Sequence, residues 1–313
     1  RPTLGAWVVY GLGSENQDLP AYVVLDDPGG LPRSGIENWQ SGWLPPVCQG
    51  TRMRSEGAPL LNLRPAEEFP SPVLELARSL LGRFDAAHRE KHPGLPELEA
   101  RIASYELAAR MQVSATDALD VSKESQATRA MYGLDDTVTA SYGRRCLMAR
   151  RLVERGVRIV QIYMNYNPWD HHDRIEQGLR ETCAMTDRPA AALLKDLKQR
   201  GLLASTLVIW GGEFGRLPHS EIPKVEKHVG RDHNANGFTV WMAGGGIKGG
   251  TVYGSTDDLG YKAVENRVSV HDFHATILHQ LGMNFRDLVY ERLGRRERLT
   301  DEFPARVVKE LLL

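Results

Sequence analysis

The chain has 313 residues, of which 42% are hydrophobic and 25% charged, and its formal net charge is −1. That composition is ordinary for a globular protein, and the length suffices for a substantial core in one large domain or two. The near-neutral balance excludes bulk electrostatic capture of nucleic acid or of an anionic membrane surface, and no apolar run is long enough to span a bilayer. Three cysteines, Cys48, Cys146 and Cys183, lack metal-ligand spacing, and an odd count allows at most one internal bridge. The basic runs Arg144-Arg145 with Arg150-Arg151, and Arg292 to Arg298, read as solvated faces. No secretory signal is visible; the chain opens on Arg1 rather than Met, in a stretch that reads as the middle of a domain, so an upstream segment is expected.

Residues 1–65 are rich in Gly, Pro and Trp. Tyr22 to Leu25 predicts a short buried strand, Ala58 to Leu63 a second, and Gly29 to Gly57 a long loop. From 70 to 155 the apolar residues recur at helical spacing. Val73 to His92, Leu95 to Val113, Ser122 to Tyr132 and Tyr142 to Arg155 predict a helical layer packed on a sheet. After Gly156 the pattern turns to strand and helix. Val157 to Met164 predicts a strand, Arg174 to Arg200 a long helix, Thr206 to Trp210 a strand covered on both faces, and Phe238 to Met242 a further strand. Asp272 to Leu281 predicts a helix with Ser269 or His271 near its cap, and Phe303 to Leu313 a terminal helix. The order implies an α/β layered fold spanning residues 1–313, with 156–313 carrying the polar clusters.

Eight of the ten histidines lie after residue 170, in short clusters that follow predicted strands. They are Trp169-Asp170-His171-His172-Asp173, Gly230-Arg231-Asp232-His233-Asn234 and His271-Asp272-Phe273-His274; a fourth motif is Gly212-Glu213-Phe214-Gly215-Arg216. Ligands bind beyond the carboxyl ends of strands in open parallel sheets. Imidazoles and carboxylates placed there can share a divalent cation. Each cluster taken alone has a plainer reading. Asp170 can cap the next helix, Asp232 can serve a turn, Glu213 can cap locally, and His271 and His274 can pack at a helix start.

The order of these motifs is similar to that of a known group. The segment STLVIWGGEFGR (205–216) resembles the strand and loop read as TLVIFTSDHG in the alkaline phosphatase and sulfatase superfamily. More closely, WDHH, GGEFGR, GRDHN with GF, GGTVYGSTDDLG and HDFHATILHQLG together resemble the secreted bacterial family called domain of unknown function 1501, a sulfatase-like branch of that superfamily. The resemblance implies a three-layer α/β/α sandwich with a mostly parallel sheet, a helical insertion and a missing first strand. It implies one metal, zinc in the first place and calcium or manganese otherwise, held by Asp170, His172 and His233. Glu213 stands at the Asp position of a second metal and Phe214 where a His belongs, so that second site is changed or absent. The early metal Asp and the Ser or Thr nucleophile belong upstream of Arg1, and Thr3 and Ser14 do not replace them.

The implied activity is metal-dependent hydrolysis of a phosphate or sulfate ester, in the periplasm or outside the cell. The substrate is an anionic small molecule or polysaccharide ester. Arg216 is expected to clamp the anionic group and His271 to orient a ligand or stabilise the leaving group. Glu213 is expected as a ligand or supporting carboxylate, with His171 and Asp232 as alternative or supporting ligands. The competing expectation is a non-catalytic module that binds anionic glycans or a cell-surface partner.

Overall fold

A computed structural model describes residues 1–57, 60, 70–212, 214–220 and 229–313. The chain opens on α1 (Leu4–Leu12), whose first turn is capped by the Thr3 hydroxyl accepting from the Ala6 N–H. Then come β1 (Tyr22–Leu25), β2 (Thr51–Met53), α2 (Ser71–Lys91), α3 (Pro96–Leu119), α4 (Gln126–Met131), α5 (Ala140–Glu154) and β3 (Ile159–Ile162). The second half contains α6 (Ile175–Gln199), β4 (Val208–Trp210), β5 (Gly215–Arg216), β6 (His233–Asn234), β7 (Trp241–Ala243), β8 (Ser255–Thr256) and β9 (Ala263–Glu265). It closes with α7 (Val270–Gln280), β10 (Tyr290–Arg292) and β11 (Arg295–Glu297). Most of Ala58 to Leu63 lies outside the described residues.

A parallel three-stranded sheet in the order β2-β1-β3 organises the molecule. Successive side chains of a strand point to opposite faces, and β1 is buried on both. Val23 and Leu25 join a cluster with Met111, Leu147 and Leu152, from α3 and α5. Tyr22 and Val24 join a cluster on the opposite face with Ala6, Trp7 and Val9 of α1. Gly5 lets α1 approach this closely: a Cβ there would lie 2.5 Å from the Tyr22 ring.

The described residues define a mixed α/β fold. Gly29 to Gly57, read as a loop, contains β2 of the parallel sheet, and four further expectations need correction. First, β4 and β7 do not extend the parallel sheet; they pair antiparallel as a separate ribbon, Trp210 opposite Trp241, and Ile209 is 37% exposed. An apolar run fixes neither burial on both faces nor strand direction. Second, Phe303 to Leu313 is not a helix but extended chain with a single 3-10 turn at Lys309–Leu311. Its backbone pairs with 246–248, through Lys248 N–H to the Leu311 carbonyl at 2.8 Å and Leu313 N–H to the Gly246 carbonyl at 2.9 Å, and these bonds outweigh local helix propensity. Third, the apolar stripe of α2 does not pack on the sheet; Phe84 is 70% exposed. Fourth, Arg145, Arg150 and Arg151 of α5 are not solvated. Arg145 and Arg150 are each 1% exposed, the first paired with Asp27 and the second with Glu124 and Asp196. A buried guanidinium is tolerated only when paired, and five fixed donors make Arg suited to such a network.

Candidate metal centre

The loop after β3 carries the first half of the site. Tyr166 takes a left-handed backbone (φ 47°), Pro168 follows, and the Asp170 N–H closes a turn onto the Asn167 carbonyl at 3.0 Å. The chain then runs beside 229–231. Arg231 N–H donates to the His171 carbonyl at 3.0 Å, and Ile175 N–H to the Val229 carbonyl at 2.9 Å. Gly230 is required by this contact: a Cβ there would lie 1.9 Å from the His172 carbonyl oxygen. The second half comes from the two-residue pair β5–β6, where Arg216 faces His233 across the ladder.

These elements bring three side chains together. Asp170 Oδ1 lies 2.9 Å from His172 Nε2 and 2.9 Å from His233 Nε2, and the two imidazole nitrogens are 3.0 Å apart. The carboxylate is fixed from behind. Asn167 Nδ2 donates to Asp170 Oδ2 at 2.7 Å, and Arg216 donates to Asp170 Oδ1. Burial pushes the Asp170 carboxyl up, but the hydrogen bonds from His233, Arg216 and Asn167 outweigh it and hold it down at about 2. Asp170 is therefore an ionised carboxylate at neutral pH. It does not cap α6, whose first residue is preceded by Arg174 with no side-chain cap.

The other expected residues fall around this triad. His171 is turned away against Gly178, its Nε2 is buried without a hydrogen-bond partner among the described residues, and burial followed by the Arg216 charge lowers its pKa. Asp232 accepts the His233 N–H at 2.7 Å, a supporting contact within its own segment. Arg216 lies over the Phe214 ring at 5.6 Å and spends a donor on Asp170 rather than standing free as an anion clamp. His271 stands on the first turn of α7, stacked on Phe303 at 4.7 Å, with its Nδ1 buried and unpartnered among the described residues. It is not among the ligand atoms that cluster. Glu213 lies outside the described residues.

Two participants escape a search for ligand types. Asn167 holds Asp170, and an Asn-Pro dipeptide such as Asn167-Pro168 is the turn signal that could have drawn attention to it. Phe214 packs against the His233 ring at 4.4 Å and forms a wall of the site. Trp169 meets Trp210 edge-on at 5.4 Å, and Trp210 stacks with Trp241, so the site loop is anchored to the β4–β7 ribbon through aromatic contacts.

The donor set suits a divalent cation. Asp170, His172 and His233 form, among the described residues, a group whose potential ligand atoms all lie within 4.8 Å of one another. Two imidazoles and one carboxylate leave room for a further ligand, as in catalytic rather than structural zinc sites. Fold and site thus define an α/β protein with a His-His-carboxylate cluster beside a parallel sheet. The chain belongs to the family described as "Protein of unknown function (DUF1501)", which matches residues 1–312. No curated protein and no solved structure matches the chain.

Proposed function

We propose that the protein is a metal-dependent hydrolase of phosphate or sulfate esters, related in its three-layer architecture to the alkaline phosphatases and sulfatases. The observation that carries this reading is the convergence of Asp170 Oδ1, His172 Nε2 and His233 Nε2 to separations of 2.9–3.0 Å. Zinc is the first expectation, because imidazole suits it better than it suits calcium or manganese. A bound cation would supply Lewis acidity toward an ester oxygen. The chain's own residues prepare the site. Asn167 and Arg216 keep Asp170 ionised, and Phe214 excludes water from one side of His233.

The second reading is a non-catalytic anion-binding module. It is favoured by Arg216, which donates to the same Asp170 oxygen that a cation would use. Elemental analysis and turnover of 4-nitrophenyl phosphate and 4-nitrophenyl sulfate separate the two. The hydrolase reading expects about one zinc per chain and ester cleavage that disappears, with the metal, in His233→Ala. Protein that stays metal-free after zinc addition, yet still retains inorganic sulfate, would establish the binding module instead.

A further inference from the structure

The carboxyl ends of β1 and β2 open onto a cavity of about 320 Å³ that the triad does not use. Among its walls are Asp26 and Asp27 from the end of β1, and Arg52, Arg54, Ser55 and Glu56 from β2 and the loop beyond it. Crevices beyond the carboxyl ends of parallel strands are the usual ligand sites of such sheets, and this volume sits at the small end of ligand pockets.

The walls are held in place. Arg52 pairs with Asp26, which is 3% exposed. The buried Arg145 donates to Asp27 Oδ2 at 2.7 Å, and the Gly29 N–H to Asp27 Oδ1 at 2.9 Å. Ser55 is only 8% exposed, and among the described residues its Oγ finds no hydrogen-bond partner. A buried hydroxyl left unpaired is costly, and a ligand in the cavity would relieve it.

The mixture of charges selects the ligand. Three carboxylates, Asp26, Asp27 and Glu56, stand against Arg52, Arg54 and Arg145, so the cavity offers no net positive charge to a simple oxyanion. Asp26 and Asp27 are already neutralised by Arg52 and Arg145, which opposes a bare cation. What remains is a set of guanidinium donors, carboxylate acceptors and one free hydroxyl, side by side. Vicinal hydroxyls match that set, since each is a donor and an acceptor at once.

We propose that this cavity binds a neutral saccharide ring through its vicinal hydroxyls. It opens at the sheet edge that also bears the triad loop. Tyr166 N–H donates to the Leu31 carbonyl at 2.9 Å, and Arg33 N–H to the Tyr166 carbonyl at 3.1 Å, so the two loops are stitched together. The site stands independently of the metal centre.

Saturation-transfer NMR and calorimetry on the metal-free protein test it, with glucose, galactose, mannose and N-acetylglucosamine as neutral probes and sodium sulfate as the anion. At least one neutral sugar binds, Arg54→Ala and Ser55→Ala each weaken it about tenfold or more, and His233→Ala leaves it unchanged. Melting temperatures of both cavity variants near wild type confirm that they fold. Sulfate binding alone, no binding of any neutral sugar, or sugar binding indifferent to both cavity substitutions overturns the proposal. A failure of zinc uptake leaves it untouched, so the two readings fail separately.

Discussion

Asp170 receives contacts on both carboxylate oxygens, and they do not act alike. Asn167 fills Oδ2 and leaves Oδ1 to point at the imidazoles, whereas Arg216 reaches Oδ1 itself. Removing the two partners should therefore have opposite consequences. Asn167→Ala frees the carboxylate to rotate, and loss of such an outer partner costs roughly 10–100-fold in metal affinity. Arg216→Ala removes a positive charge and a competing donor from the ligand oxygen. Zinc affinity in that variant holds or rises, because Asp170 stays ionised at pH 7 on its remaining hydrogen bonds, while KM for an anionic ester increases. Competition against a zinc indicator and steady-state kinetics read the two effects apart. Equal losses of zinc in both variants would show that Arg216 supports the ligand rather than competing at it.

The elements differ in how openly their sequences declare them. Tyr22 to Leu25 is an apolar run between turn formers, and it is a fully buried strand. The helix α7 carries its own start signal, since Ser269 accepts from the Asp272 N–H and the Asp272 carboxylate accepts from Ser269 N–H in a capping box. By contrast α1 was hidden. Gly5, Gly11, Val8 and Val9 are poor helix residues, and burial of Gly5 to Val9 against β1 decides the matter instead. These origins predict different responses. Ser269→Ala removes a cap and costs about 1 kcal/mol. Gly5→Ala would gain up to about 1 kcal/mol of helix propensity, but its methyl group meets the Tyr22 ring, which is 1% exposed and cannot move aside. Overpacking of about 1–3 kcal/mol wins, so Gly5→Ala lowers the denaturant midpoint. A midpoint above wild type would mean that α1 does not press on Tyr22 as described.

At the scale of the whole molecule, Asp170, His172 and His233 were legible as clusters because their residue types recur after strands, but their meeting depends on strand direction, which side-chain periodicity does not encode. The same holds for the cavity beyond the ends of β1 and β2, assembled from residues 26–30 and 52–56. Charge burial across the fold sets the response to acid. Burial, then the neighbouring His271, holds the His274 imidazole down at about 4, against an ordinary 6.5. A histidine kept neutral in the folded state takes up its proton more readily when unfolded, so the unfolded chain binds more protons between pH 6.5 and 4. The contribution is fully present above the unfolded value and lost as pH falls through that window, on the order of 2–3 kcal/mol. Asp170, held at about 2, and Glu124, lowered by its arginine partners after burial opposes them, contribute stability that is lost only at lower pH. Acid unfolding should therefore weaken the protein in two steps, the first near pH 5 and the second below pH 4. His274→Gln cannot protonate, and it should shrink the first step to the share contributed by His171, whose pKa is also lowered, while sparing the second. Urea midpoints measured every half unit from pH 7 to pH 3 check this, and a variant whose profile keeps the slope between pH 6.5 and 4 would assign that loss to other groups.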